Sequence, residues 1–161
     1  MSDNTTLDLF RSINKSTEGY DNGPIVDGKA VQGVLYPDFE PRELSKGRTR
    51  AADVQTFTGT NGIAMVRSGG GTSLFDKAYV LPGGAKYWHS FKIPKDTVIP
   101  DSLVVRFTGS NPKFNADHYQ IESKAGSMTI EAMKGALDNL ARNAIVRLIE
   151  IGDVKAPAKT Q

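Results

Sequence analysis

TIEAMKGALDNLARNAIVRLIEI, residues 129–151, is the stretch that decides the fold. Within it Ile130, Met133, Leu137, Leu140, Ala141, Ala144, Ile145 and Leu148 recur at steps of three and four residues. A helix turns once in about 3.6 residues, so these side chains share one face. Lys134, Asp138, Asn139, Arg142 and Arg147 fall largely off the stripe and form a polar outer face. Ser127 is the expected N-cap, and Gly152 the expected residue just past the C-cap. An amphipathic helix draws most of its stability from packing its stripe, so the rest of the chain must supply a surface.

That surface reads as a sheet. Residues 54–58, 62–66, 87–93, 103–107 and 119–122 are short β-prone runs between turn signals. The apolar stretch 7–10, ending at Arg11, adds another. Residues 12–50 are rich in Gly, Pro, Asp, Asn and charge, and predict long loops with one short strand at 31–36. There is no internal repeat. Strands precede one helix without alternating βα units, so the fold class is α+β. The 161 residues fit a single domain over 1–152, followed by a polar tail, 153–161, expected to be flexible.

Composition narrows the chemistry. With no Cys, the chain has neither a disulfide framework nor a thiolate nucleophile or metal ligand. Two histidines far apart, His89 and His118, do not make a His-rich metal site, and no metal is expected. Lys plus Arg is 20 against 18 Asp plus Glu, which is no electrostatic footprint of nucleic-acid binding. The opening MSDNTTLDLF lacks the basic and apolar regions of a secretory signal, and no run of about 18 apolar residues predicts a membrane span.

Four features carry polar chemistry. Gly69-Gly70-Gly71-Thr72-Ser73 combines glycines, which admit a close ligand, with two hydroxyls. A hairpin turn is the ordinary use of such a run. No Lys-Ser/Thr pair follows it, so it is not a P-loop, and no βαβ unit surrounds it. On a strand, His118, Gln120 and Glu122 would share one face and Tyr119 and Ile121 the other. His118 could bind a ligand, orient another side chain, or be a hydrogen-bonded structural histidine. Arg11 at a strand end is ordinarily solvated, but turned inward it would suit a phosphate. The polar helix residues Asp138, Asn139, Arg142 and Asn143 read as a solvated face.

Taken together, GGTSLFDKAYVL (70–81), IPKDTVIPDSLVV (93–105), ADHYQIES (116–123) and GALDNLARNAIVR (135–147) resemble the second type-six-exported effector family. TLDLFR (6–11) is similar to that family's opening strand, whereas residues 12–69 carry no recognisable likeness. These are bacterial toxins delivered by type VI secretion. The resemblance implies a mono-ADP-ribosyltransferase-like split β-core with a cleft for NAD. It implies that Arg11 holds NAD phosphate or ribose, that Thr72 and Ser73 shape the nicotinamide side of the pocket where the turn at Gly71 lets the dinucleotide lie close, and that His118 is functionally important. It makes Tyr119 an aromatic neighbour of the ligand and Glu122, in Gln120-Ile121-Glu122, a candidate for the usual transferase glutamate. Ser73, His118 and Glu122 are thus the expected catalytic set. The implied partners are a cognate immunity protein, a carrier on the secretion needle and a target in the recipient's cytoplasm. A non-catalytic toxin on the same scaffold, blocking a host component, is the alternative. A structural or adhesive β domain would show none of the four ordered blocks.

Overall fold

The computed structural model describes residues 3–44 and 47–157. Its elements in chain order are β1 (Leu9–Asn14), β2 (Ile25–Val26), β3 (Lys29–Ala30), β4 (Arg42–Glu43), β5 (Thr49–Arg50), β6 (Thr56–Thr58) and β7 (Ala64–Val66). There follow β8 (Thr72–Phe75), β9 (Trp88–Ile93), β10 (Leu103–Asn111), β11 (Ala116–Ser123), β12 (Met128–Thr129) and α1 (Ile130–Glu150). The arrangement is α+β, with a main sheet of order β10-β11-β8-β1-β9 in which every pair is antiparallel. A smaller sheet, β12-β7-β6, leads into the helix, and β2-β3 and β4-β5 are two-stranded hairpins.

Alternation along the strands separates two faces of the main sheet. Leu9 and Ile13 of β1, Thr72 and Leu74 of β8, Phe91 and Ile93 of β9, and Ile121 of β11 are buried. The helix stripe closes the core: Met133, Ala136, Leu137, Leu140, Ala141, Ala144, Ile145 and Leu148 are all buried. Each fully buried leucine contributes roughly 1.5–3 kcal/mol before entropy is counted.

The helix begins one turn signal later than expected. Thr129, not Ser127, is the N-cap, and its hydroxyl accepts from Ala132 N–H at 3.0 Å. Thr129 already has extended backbone as the end of β12, which is the geometry an N-cap needs. The other end is as expected: Gly152, at φ 82°, donates to Ile149 O, and Asp153 N–H returns to Leu148 O at 2.9 Å. Asp153 also pairs with Lys92 at 3.0 Å, and Val154 packs on the core. Residues 158–161 of the expected tail lie outside the described residues.

Two strand expectations fail, in opposite senses. Residues 31–36 are not a strand but successive turns, with Val34 N–H on Val31 O and Tyr36 N–H on Gly33 O. Val34 and Leu35 are buried all the same, so the apolar pattern marked core rather than secondary structure. Conversely β8, only four residues long and hidden behind glycines, is the middle strand of the main sheet.

Candidate active site

The sheet is split at its centre. β1 pairs with β9 over six positions, from Leu9↔Ile93 to Asn14↔Trp88, but meets β8 at Phe10↔Phe75 alone. Beyond that point β1 and β8 diverge, and the backbone groups facing the gap need other partners. Arg11 supplies them. Its guanidinium donates to Ser73 O at 3.3 Å and to Tyr36 O at 3.1 Å, which ties β1, β8 and the 31–36 turns across the gap.

The gap opens into a cleft of about 870 Å³, lined by Arg11, Ser12, Ser73, Phe75 and Trp88 from the sheet side. This volume lies in the range of roughly 300–1,000 Å³ usual for small-molecule sites. The other side comes from the segment that sequence reading left without a role: Tyr20, Val34, Tyr36, Asp38, Arg42, Leu44, Arg50 and Asp53. Asp38 and Asp53 stitch that segment into a closed loop. Asp53 N–H donates to Asp38 O at 2.8 Å, and Asp38 N–H to the Asp53 carboxylate at 2.6 Å. Arg42 pairs with Asp38 at 3.0 Å and Arg50 with Asp53 at 3.5 Å.

Arg11 is the electrostatic centre of the cleft. Burial pulls its guanidinium below the ordinary arginine range, opposed by Asp53 and Asp38. A guanidinium carries five N–H donors, of which two are used here, and its buried Nε has no partner among the described residues. That unmet capacity fits an anionic or oxygen-rich ligand.

Ser73 and His118 stand together on one face. The register puts His118 opposite Phe75 and Gln120 opposite Ser73. His118 Nε2 lies 2.9 Å from Ser73 Oγ, and its ring meets Phe75 edge-on at 5.1 Å between centroids. Nδ1 of the same ring hydrogen-bonds to Thr108 Oγ1. Burial lowers the His118 pKa, which favours the neutral ring.

Other expected residues are placed differently. Thr72 does not join Ser73 in a wall of hydroxyls. Alternation turns it to the opposite face, where it is fully buried and donates to Leu35 O at 2.6 Å. Gly71 is not an approach for a ligand either. A Cβ there would lie 1.7 Å from Ile121 O, so its bareness admits β11. Gly70 likewise admits the backbone of Asp53, 2.3 Å from where a Cβ would stand. Tyr119 faces away from the cleft, edge-on to Phe107 at 5.4 Å and beside Leu7, Leu9 and Ile99 in a separate 330 Å³ pocket. Glu122 shares the face of His118 and is only 5% exposed, but its carboxylate is occupied. It accepts from Gly69 N–H at 3.2 Å and Gln120 Nε2 at 3.1 Å, and pairs with Arg106 at 3.5 Å. It braces the glycine turn and is not among the residues that line the cleft.

The polar helix face also does more than meet solvent. Asp138 accepts from Tyr36 Oη at 2.7 Å and Gly33 N–H at 3.1 Å. Burial, followed by the Asp138 hydrogen bond, pushes the Tyr36 phenol up to about 12. This contact fixes the turns that carry Tyr36 O to Arg11.

The chain resembles known proteins along most of its length. Residues 2–149 match the family model described as the Tse2 ADP-ribosyltransferase toxin. The chain is similar to Toxin Tse2 of Pseudomonas aeruginosa, 33% identical over 150 residues that cover 89% of this chain and 90% of that protein.

Proposed function

The chain belongs to the Tse2 ADP-ribosyltransferase toxin family, and on that premise we propose that its cleft binds NAD and that the toxin cleaves it, transferring ADP-ribose to an acceptor. The observation that carries this reading is the split between β1 and β8, with Arg11 and Ser73 facing one volume of about 870 Å³. NAD supplies a glycosidic bond to nicotinamide, whose breaking leaves positive charge on the ribose. The residues present fit such a molecule. The terminal N–H groups of Arg11 left over from its bonds to Ser73 O and Tyr36 O suit a phosphate or ribose oxygen. The Ser73 hydroxyl suits ribose or the carboxamide, and Phe75 and Trp88 offer aromatic surface.

Thr72 and Glu122 act in this reading through the backbone. Thr72 locks β8 to the 31–36 turns, and Glu122 holds the Gly69 turn. Negative charge near the cleft comes instead from Glu18, Asp38 and Asp53, which line it. Such preorganised charges favour a developing cation. The same reading takes in delivery by type VI secretion with a carrier, action in the recipient's cytoplasm and a cognate immunity protein.

Ser73→Ala and His118→Ala test the site. Each should abolish growth inhibition on expression in a bacterial cytoplasm while circular dichroism stays unchanged. Nicotinamide release from labelled NAD in cell lysate tests the reaction, and quenching of Trp88, the sole tryptophan, reports binding. Full toxicity of both variants would remove the site assignment. Toxicity without nicotinamide release or labelled acceptor would favour the non-catalytic alternative.

A further inference from the structure

β10 and β11 pair regularly until Phe107↔Tyr119, and the next pair is Gly109↔His118. Thr108 is therefore an extra residue in a β-bulge, a device that re-aims a side chain. Gly109 carries the bulge at φ 139°, a conformation that side-chain-bearing residues rarely adopt. The outcome is specific: the Thr108 hydroxyl reaches both His118 Nδ1 and, at 3.1 Å, His118 O.

A hydroxyl has one hydrogen to give. A carbonyl oxygen can only accept, so both contacts are hydrogen bonds at once only with the Thr108 hydrogen on His118 O. The Thr108 oxygen then accepts from Nδ1, which must carry a proton. Burial disfavours a second proton on the ring. Nε2 is left as an acceptor, 2.9 Å from Ser73 Oγ, and Ser73 donates to it. Both lone pairs of Ser73 Oγ are then available to accept from a ligand in the cleft.

We infer that Thr108 is a positioning residue that fixes His118 in the Nδ1–H tautomer and thereby makes the cleft hydroxyl of Ser73 an acceptor toward ligand donors. It touches no ligand itself. The ligand class that Ser73 then selects is one presenting N–H or O–H, such as a carboxamide or a ribose hydroxyl. The effect on toxicity rests on the proposed NAD reading, whereas the tautomer does not.

Long-range 1H–15N correlation of the labelled full chain reads the tautomer directly, with His89→Gln to assign the two rings. The wild type should show a protonated Nδ1 and an unprotonated Nε2 at neutral pH. Thr108→Val keeps the shape of the side chain and removes the hydroxyl. It should release the ring toward the Nε2–H form and lower growth inhibition and nicotinamide release by about 10- to 100-fold, a scale borrowed from loss of the partner that orients a metal-ligating histidine. Thr108→Ser should restore both. A merely structural role would move stability without moving the tautomer. An Nε2–H ring in the wild type overturns the inference, as does a Thr108→Val protein that changes tautomer yet keeps full toxicity. Should the wild type release no nicotinamide, the NAD reading fails while the tautomer and growth readouts still decide the role of Thr108.

Discussion

Two Gly→Ala substitutions should move stability in opposite directions, and the pair tests why glycine stands before β8. At Gly71 the new methyl would lie 1.7 Å from Ile121 O and 2.8 Å from Ile121 C. A close carbon–oxygen contact needs about 3.3 Å, so the overlap is about 1.6 Å. Ile121 cannot retreat, because its strand is paired on both sides, to Thr72 and to Val105. Thr72 cannot retreat either, being fully buried and bonded to Leu35 O. Relief requires the start of β8 to peel away, at a cost of at least about 3 kcal/mol. For a chain of this size that lowers Tm by about 6–12 °C. Gly135 is the opposite case: it is exposed in mid-helix with open space around it. Gly135→Ala should raise stability by about 1 kcal/mol through helix propensity. Urea and thermal unfolding of both proteins beside the wild type give the two numbers. A Gly71→Ala protein within about 1 kcal/mol of wild type would refute the close-approach argument. If that protein also lost NAD affinity, the glycine would be serving ligand approach after all.

Asp138→Ala removes two hydrogen bonds accepted by one carboxylate, from Tyr36 Oη and Gly33 N–H. It should cost about 1.5–3 kcal/mol in urea unfolding and weaken NAD binding, since Tyr36 O anchors Arg11. The pH dependence follows from His118. Its folded pKa lies below the ordinary 6.5, so the unfolded chain binds the extra proton first. The corresponding stability is complete above about 6.5 and is lost as pH falls through the lower folded value. Nicotinamide release should hold steady from neutral pH upward and fall on acidification only below the usual histidine range, as a pH–rate profile would show.

How much of this could be read in advance depended on how local each signal was. The helix was legible because its stripe repeats over six turns, and seven of the eight stripe residues named from spacing are buried. β9, β10 and β11 were legible within a few residues, though β10 runs on to Asn111 and β11 starts at Ala116. The alternation of His118, Gln120 and Glu122 against Tyr119 and Ile121 also matches the register. β8 was not legible as a strand, because four residues behind three glycines read locally as a turn. Its strand character is imposed by β11, which needs a bare backbone beside Ile121 O. The cleft wall from Tyr20 to Asp53 was illegible for a related reason. The strands of its hairpins are two residues long, and its order comes from distant partners: Arg11, Asp138 and Thr72.

The pair Thr72-Ser73 shows how adjacent letters divide one task. Read as two hydroxyls, they suggested a common wall. Strand geometry forbids that, since neighbours on a strand face opposite ways. Thr72 turns into the core, where an unpaired hydroxyl would cost about 1–3 kcal/mol, and it is satisfied by Leu35 O. That bond joins β8 to the segment carrying Tyr36, whose carbonyl receives Arg11. Arg11 closes the circuit by donating to Ser73 O, the backbone of the very residue whose side chain meets His118. The buried hydroxyl therefore fixes the distance across the split, and the half-buried one works at that distance. Loss of function on changing Thr72 would then be a consequence of geometry. Thr72→Val should widen the split and lower stability, whereas Ser73→Ala should leave stability intact, and unfolding measurements on the two variants separate anchor from site.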